Sequence, residues 1–80
     1  MHVVEFLIEP FTEGQPGAHV TSAIAAVEAA GGVVDFGALS STCRADASEM
    51  PVIVAALLTA AFANGASGVR LSVENEGAGA

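Results

Sequence analysis

The segment from Val33 to Asp46, VVDFGALSSTCRAD, limits the fold of this chain more than any other. It lies between two alanine-rich stretches and is broken near its middle by Gly37 and Ala38. Val33 to Phe36 and Leu39 to Ala45 read as two short strands, and a glycine-containing turn of this length closes them into an antiparallel hairpin. A central hairpin between two helices leaves few architectures for the remainder.

The flanking segments complete the pattern. From Val4 the stretch His2 to Glu9 alternates, with Val4, Phe6 and Ile8 on one side and Val3, Glu5, Leu7 and Glu9 on the other, the period of a strand. Pro10 ends it, and Phe11 to Gly17 carries the glycine and proline of a loop. Ala18 to Ala30 is predicted helical, with Val20, Ala23, Ile24 and Val27 on one face and Gly31-Gly32 as its stop. A second helix is predicted from Glu49 to Ala63, capped by Ser48 so that Pro51 falls harmlessly in the first turn, and ended by Asn64-Gly65. Val69 to Glu74 alternates as a last strand, and Asn75 to Ala80 reads as a frayed polar tail. The order β-α-β-β-α-β predicts an α+β, ferredoxin-like domain over residues 1–74, a four-stranded antiparallel sheet with both helices on one face. Its expected core is Val4, Phe6, Ile8, Val20, Ile24, Val27, Ile53, Leu57, Val69, Leu71 and Val73.

Charge narrows the partners. Only 14% of the residues are charged and 52% are apolar, against about 25% charged in an average soluble domain. So little charge on a small domain predicts that apolar surface is buried between copies, as a homodimer or homotetramer. The net charge is −7, and Arg44 and Arg70 are the only basic residues. Nucleic acid and anionic membrane surfaces are therefore excluded as expected partners. Met50 to Val69 carries no charge, but Pro51, Thr59, Asn64, Gly65, Ser67 and Gly68 interrupt it, so it reads as a buried helix and not a membrane span. No basic segment followed by an apolar run opens the sequence, and a cytoplasmic location is the expectation.

Catalytic equipment is sparse. Cys43 is the single cysteine, and nothing in the spacing brings it to His2 or His19; on a strand it reads as apolar filler. No metal-ligand spacing occurs. Glu5 and Glu9 lie about 13 Å apart along a strand, too far to share a proton. No phosphate-binding loop is present, since Gly31-Gly32 follows a helix instead of opening one. The expectation is a protein without enzymatic activity, metal or cofactor. The run Ser40-Ser41-Thr42 stands apart, because hydroxyls both donate and accept and can match an amino-bearing heterocycle. Alternation places Ser41 and Cys43 on one face and Ser40, Thr42 and Arg44 on the other. Two surfaces are left without obvious cover. One is the open sheet face, where Val3, Leu7, Thr42 and Ser72 mix with Glu5, Glu9, Arg44 and Arg70; the other is the uncharged outer face of the second helix, Val52, Ala55, Ala56, Thr59 and Ala63.

Three segments carry a family resemblance: VEFLIEP from Val4 to Pro10, GALSSTCRAD from Gly37 to Asp46, and the following helix with Glu49 and Met50 early in it. Together they resemble the small thiamine-binding protein family, and the similarity spans Val3 to Glu74. The resemblance implies non-catalytic binding of thiamine or its hydroxymethylpyrimidine moiety. Ser40 and Ser41 would meet the pyrimidine, with Thr42 next and Leu7 and Glu9 contributing from the first strand. It also implies dimers or dimers of dimers. Ala45 stands where the family usually has glycine, and the chain has no Trp or Tyr to stack on the ring, only Phe6, Phe11, Phe36 and Phe62. The alternative expectation is a ligand-free regulatory or interaction module that associates through its sheet face or second helix.

Overall fold

The computed structural model describes residues 1–10, 16–37 and 40–77. Its elements are β1 (His2–Glu9), α1 (Ala18–Ala29), β2 (Val33–Phe36), β3 (Ser41–Ala45), α2 (Met50–Ala63) and β4 (Gly68–Asn75). The strands form one antiparallel sheet in the order β2-β3-β1-β4, the ferredoxin-like arrangement. Of the expected third strand, Leu39 lies outside the described residues.

Strand alternation explains where the core sits. Val4, Phe6 and Ile8 of β1 are buried, and in register they face Val73, Leu71 and Val69 of β4. Cys43 and Ala45 of β3 lie on the same side, and α1 and α2 cover it with Ala23, Val27, Met50, Ile53, Leu57 and Ala61. Ile53 and Leu57 are fully enclosed, and burying a side chain of that size stabilises by about 1.5–3 kcal/mol. Small residues at Ala23 and Ala61, both without exposed surface, let the two helices approach closely.

The helices end alike. After α1, Gly31 takes φ +99° and donates to Glu28 C=O at 3.0 Å, while Gly32 N–H reaches Val27 C=O at 2.9 Å. After α2, Gly65 takes φ +98°, and Ala66 N–H reaches Ala61 C=O at 3.0 Å. Both are Schellman closures, in which a left-handed glycine satisfies carbonyls of the last turn.

Three details differ from the sequence expectation. Ser48 does not cap α2: Glu49 occupies the cap without a side-chain bond, and Glu49 and Met50 N–H groups both donate to Asp46 C=O, at 2.9 and 3.0 Å. Backbone turn geometry thus replaces the hydroxyl. Leu71 and Val73 point to the helix side but remain 36% and 43% exposed, because β4 is an edge strand and the helices lie mainly over the rest of the sheet. The chain after Glu74 is not frayed at its start. Asn75 pairs with His2, Glu76 N–H donates to Met1 C=O at 3.0 Å, and the Glu76 carboxylate takes two bonds from Arg44, at 2.9 and 3.2 Å.

Candidate functional site

The face of the sheet opposite the helices carries the odd residues of β1 and their register partners. Glu5 faces Thr42 on one side and Ser72 on the other; Leu7 faces Arg70. Among the described residues a surface cleft of about 270 Å³ opens here, lined by Glu5, Phe6, Leu7, Ser40, Arg70, Leu71 and Ser72. Three parts of the chain distant in sequence therefore meet: the central strand, the entry to β3, and the edge strand.

Each polar group has a definite setting. Ser40 precedes β3, and its hydroxyl donates to Glu5 Oε2 at 3.2 Å. Gly37 positions this residue from the other end of the turn, where its N–H donates to Ser40 C=O at 3.0 Å. A side chain on Gly37 has no room, since a Cβ there would lie 2.5 Å from that carbonyl oxygen. Arg70 Nε donates to Glu9 Oε1 at 3.0 Å, with both side chains substantially exposed. This pair straps the end of β1 to β4 and holds the guanidinium at one margin of the cleft. The arrangement offers a carboxylate, two hydroxyls, a guanidinium and the apolar flank of Leu7 on one half-open surface. Such a set can hold a planar molecule with N–H donors by hydrogen bonds and an apolar contact.

The residues predicted from sequence divide according to strand parity. Ser40 and Leu7 line the cleft. Glu9 lies beyond its lining and reaches it through Arg70. Thr42 is half-buried on the open face opposite Glu5, outside the cleft lining. Ser41 turns to the helix side, faces Phe6 in register and is only 5% exposed. Sequence reasoning did not single out Glu5, Arg70 and Ser72 as site residues. The signal was available in their shared parity on the open face, but only the β1–β4 register brings them together.

Cys43 lies on the opposite side of the sheet from the cleft, and burial raises its thiol pKa above the ordinary value despite a bond with the Val33 backbone. His19 is likewise remote in function from the cleft: Nε2 donates to Pro10 C=O at 2.6 Å, tying the start of α1 to the end of β1. Among the described residues no group of His, Cys, Asp and Glu could hold a metal ion. No helix among them is long and apolar enough to cross a membrane.

No protein-family model and no curated protein sequence matches this chain. Solved structures do. A domain of unknown function, DUF77, from Bacillus cereus is 22% identical with a TM-score of 0.65, covering 91% of this chain and 71% of that one. A protein from Streptococcus pneumoniae is 16% identical with a TM-score of 0.68, covering 91% and 81%. A hypothetical protein from Methanocaldococcus jannascii is 23% identical with a TM-score of 0.60, covering 91% and 75%. At these identities the likeness establishes the fold and leaves function to the site.

Proposed function

We propose that this protein binds, without transforming it, an amino-bearing cationic heterocycle of the thiamine type, and that the aminopyrimidine moiety occupies the open-face cleft. The observation that carries this reading is the Glu5 carboxylate, bonded to the Ser40 hydroxyl at 3.2 Å and set among Leu7, Arg70 and Ser72. A carboxylate accepts a charge-assisted N–H bond, and a 4-aminopyrimidine offers such a donor in its exocyclic amino group or in its protonated ring nitrogen. The hydroxyls of Ser40 and Ser72 can donate or accept as the ring requires. The cleft of about 270 Å³ is at the small end for ligand sites, which favours one six-membered ring over the whole of a two-ring ligand. A net charge of −7 favours a cation at encounter. The resemblance of VEFLIEP and GALSSTCRAD to thiamine-binding proteins supports the same ligand class. In this reading the protein works in the cytoplasm as a dimer or tetramer.

Titration calorimetry with thiamine and with hydroxymethylpyrimidine tests the proposal. Both ligands are expected to release heat, and Glu5→Gln is expected to weaken binding about 10-fold or more, the worth of a charge-assisted bond. Ser40→Ala is expected to weaken it less. No heat from either ligand up to about 1 mM refutes it. A second reading rests on α2, whose outer residues Val52, Ala55, Thr59, Phe62 and Ala63 are exposed and uncharged. Exposed helix faces are normally polar, so this surface supports a protein-interaction role, alone or beside ligand binding.

A further inference from the structure

We infer that the free edge of β4 pairs with β4 of a second copy, antiparallel and centred on Ser72, joining the two sheets into one. β4 is the last strand in the order β2-β3-β1-β4, so among the described residues its outer side has no strand neighbour. Its pairing with β1 runs without a break from His2↔Asn75 to Glu9↔Gly68. The bond from Glu76 N–H to Met1 C=O, 3.0 Å, then sets the parity of the ladder. The even-numbered residues of β4 turn their backbone groups toward β1, and Val69, Leu71, Val73 and Asn75 turn theirs outward. A row of outward N–H and C=O groups is a template for another strand.

The sequence of the edge says which strand. Arg70-Leu71-Ser72-Val73-Glu74 is complementary to its own reverse. With the two-fold axis at Ser72, Arg70 of each copy meets Glu74 of the other, and Leu71 meets Val73. The parity agrees: Leu71 and Val73 exchange the backbone bonds, and Arg70 and Glu74 occupy the alternate pairs, where side chains come closer. Shifting the axis to Leu71 sets Arg70 against Ser72 and Glu74 against Gly68. Shifting it to Val73 sets Leu71 against Asn75. Within β4 itself only the Ser72 register matches both charge and apolar contact; the Val73 register would also bring Arg70 to Glu76, but that carboxylate lies past the end of the strand and already takes two bonds from Arg44. It also covers Leu71 and Val73, which are 36% and 43% exposed in the single chain. Arg70 spends its Nε on Glu9 and keeps its terminal N–H groups for Glu74 of the second copy. Because Arg70, Leu71 and Ser72 also line the cleft, the second strand forms an added wall of the site. The pairing does not depend on which ligand the cleft takes.

Sedimentation of the full chain tests this, with Arg70→Glu and Glu74→Arg. The wild type is expected to associate. Each variant alone sets like charges opposite one another at both pairs and is expected to associate about 10-fold more weakly or worse. Mixed in equal amounts they are expected to recover association, since the two carboxylates of one chain then meet the two guanidinium groups of the other. In wild-type protein, exchange of the Leu71 and Val73 amides is expected to slow as concentration rises. A monomeric wild type at about 0.1 mM, variants that associate as tightly as wild type, or a mixture no better than either variant overturns the inference. So does exchange at Leu71 and Val73 that ignores concentration, whatever the variants do.

Discussion

Gly32→Ala isolates a close approach at the end of α1. Gly32 is buried beneath the helix terminus, and a Cβ added to it would lie 2.7 Å from Cys43 Sγ, 2.8 Å from Val27 Cγ1 and 3.2 Å from Val27 O. Val27 is fully buried and Cys43 only 1% exposed, so neither side chain can move aside freely. Forcing a methyl group into a packed core costs about 1–3 kcal/mol. Its φ is outside the left-handed region, so alanine strains no dihedral, and lowered unfolded-state entropy returns about 0.4–1 kcal/mol. The expected net loss is about 1–2 kcal/mol, a fall in Tm of about 4–8 °C for each kcal/mol in a domain of this size. Urea denaturation of Gly32→Ala, Cys43→Ala and the double variant gives a thermodynamic cycle. Removing Sγ relieves the shortest contact and leaves those with Val27, so the double variant is expected to be more stable than the sum of the single costs by about 1 kcal/mol. Gly31→Ala serves as the contrast. It forces alanine to φ +99°, yet its nearest neighbour is Glu49 Oε2 at 3.8 Å, so it should destabilise without coupling to Cys43. A neutral or stabilising Gly32→Ala, or strict additivity with Cys43→Ala, refutes the reasoning.

Two further expectations concern titrating groups. Burial raises the Cys43 pKa, so in the native protein a thiol reagent should label it far more slowly than in denaturant, a difference visible in the labelling rate. Because the folded pKa lies above the unfolded one, the associated stability is complete below about pH 8.5 and declines as pH rises beyond it; Cys43→Ala should flatten that decline. Glu76 moves the other way: its hydrogen bonds from Arg44, followed by the charge of that residue, lower its pKa. Its stabilising contribution is present above about pH 4.3 and is lost as pH falls through the lowered folded value. The stability gap between wild type and Glu76→Gln, read by chemical denaturation across acidic pH, should therefore close on acidification, and a gap that stays constant would count against the Arg44 pairing.

The elements of this fold were legible from local signals. The alternation of β1 and β4, the apolar spacing of α1, and Pro51 and Asn64-Gly65 at the two ends of α2 needed no tertiary information, and β2 followed from its position before Gly37. What the sequence could not reveal was relative placement. Leu71 and Val73 have the same alternation as Val4 and Phe6, and only the position of β4 at the sheet edge leaves them exposed. The two consecutive glycines read alike as a helix stop, whereas Gly31 serves the backbone conformation and Gly32 the close approach of Cys43. At the cleft, parity correctly separated Ser41 from Ser40 and Thr42. The participation of Glu5, Arg70 and Ser72 depended on register, a property of pairs of strands that no single segment encodes.

β1 carries two interleaved texts. Its even positions, Val4, Phe6 and Ile8, are committed to the interior, while Glu5 and Leu7 line the cleft and Glu9 orients Arg70. A change at Glu5 or Leu7 alters the chemistry of the cleft while leaving the packing alphabet untouched. The lining of the cleft can therefore vary at Glu5 and Leu7 at little risk to folding, whereas a slip of one residue in the strand would exchange the two texts and destroy both at once.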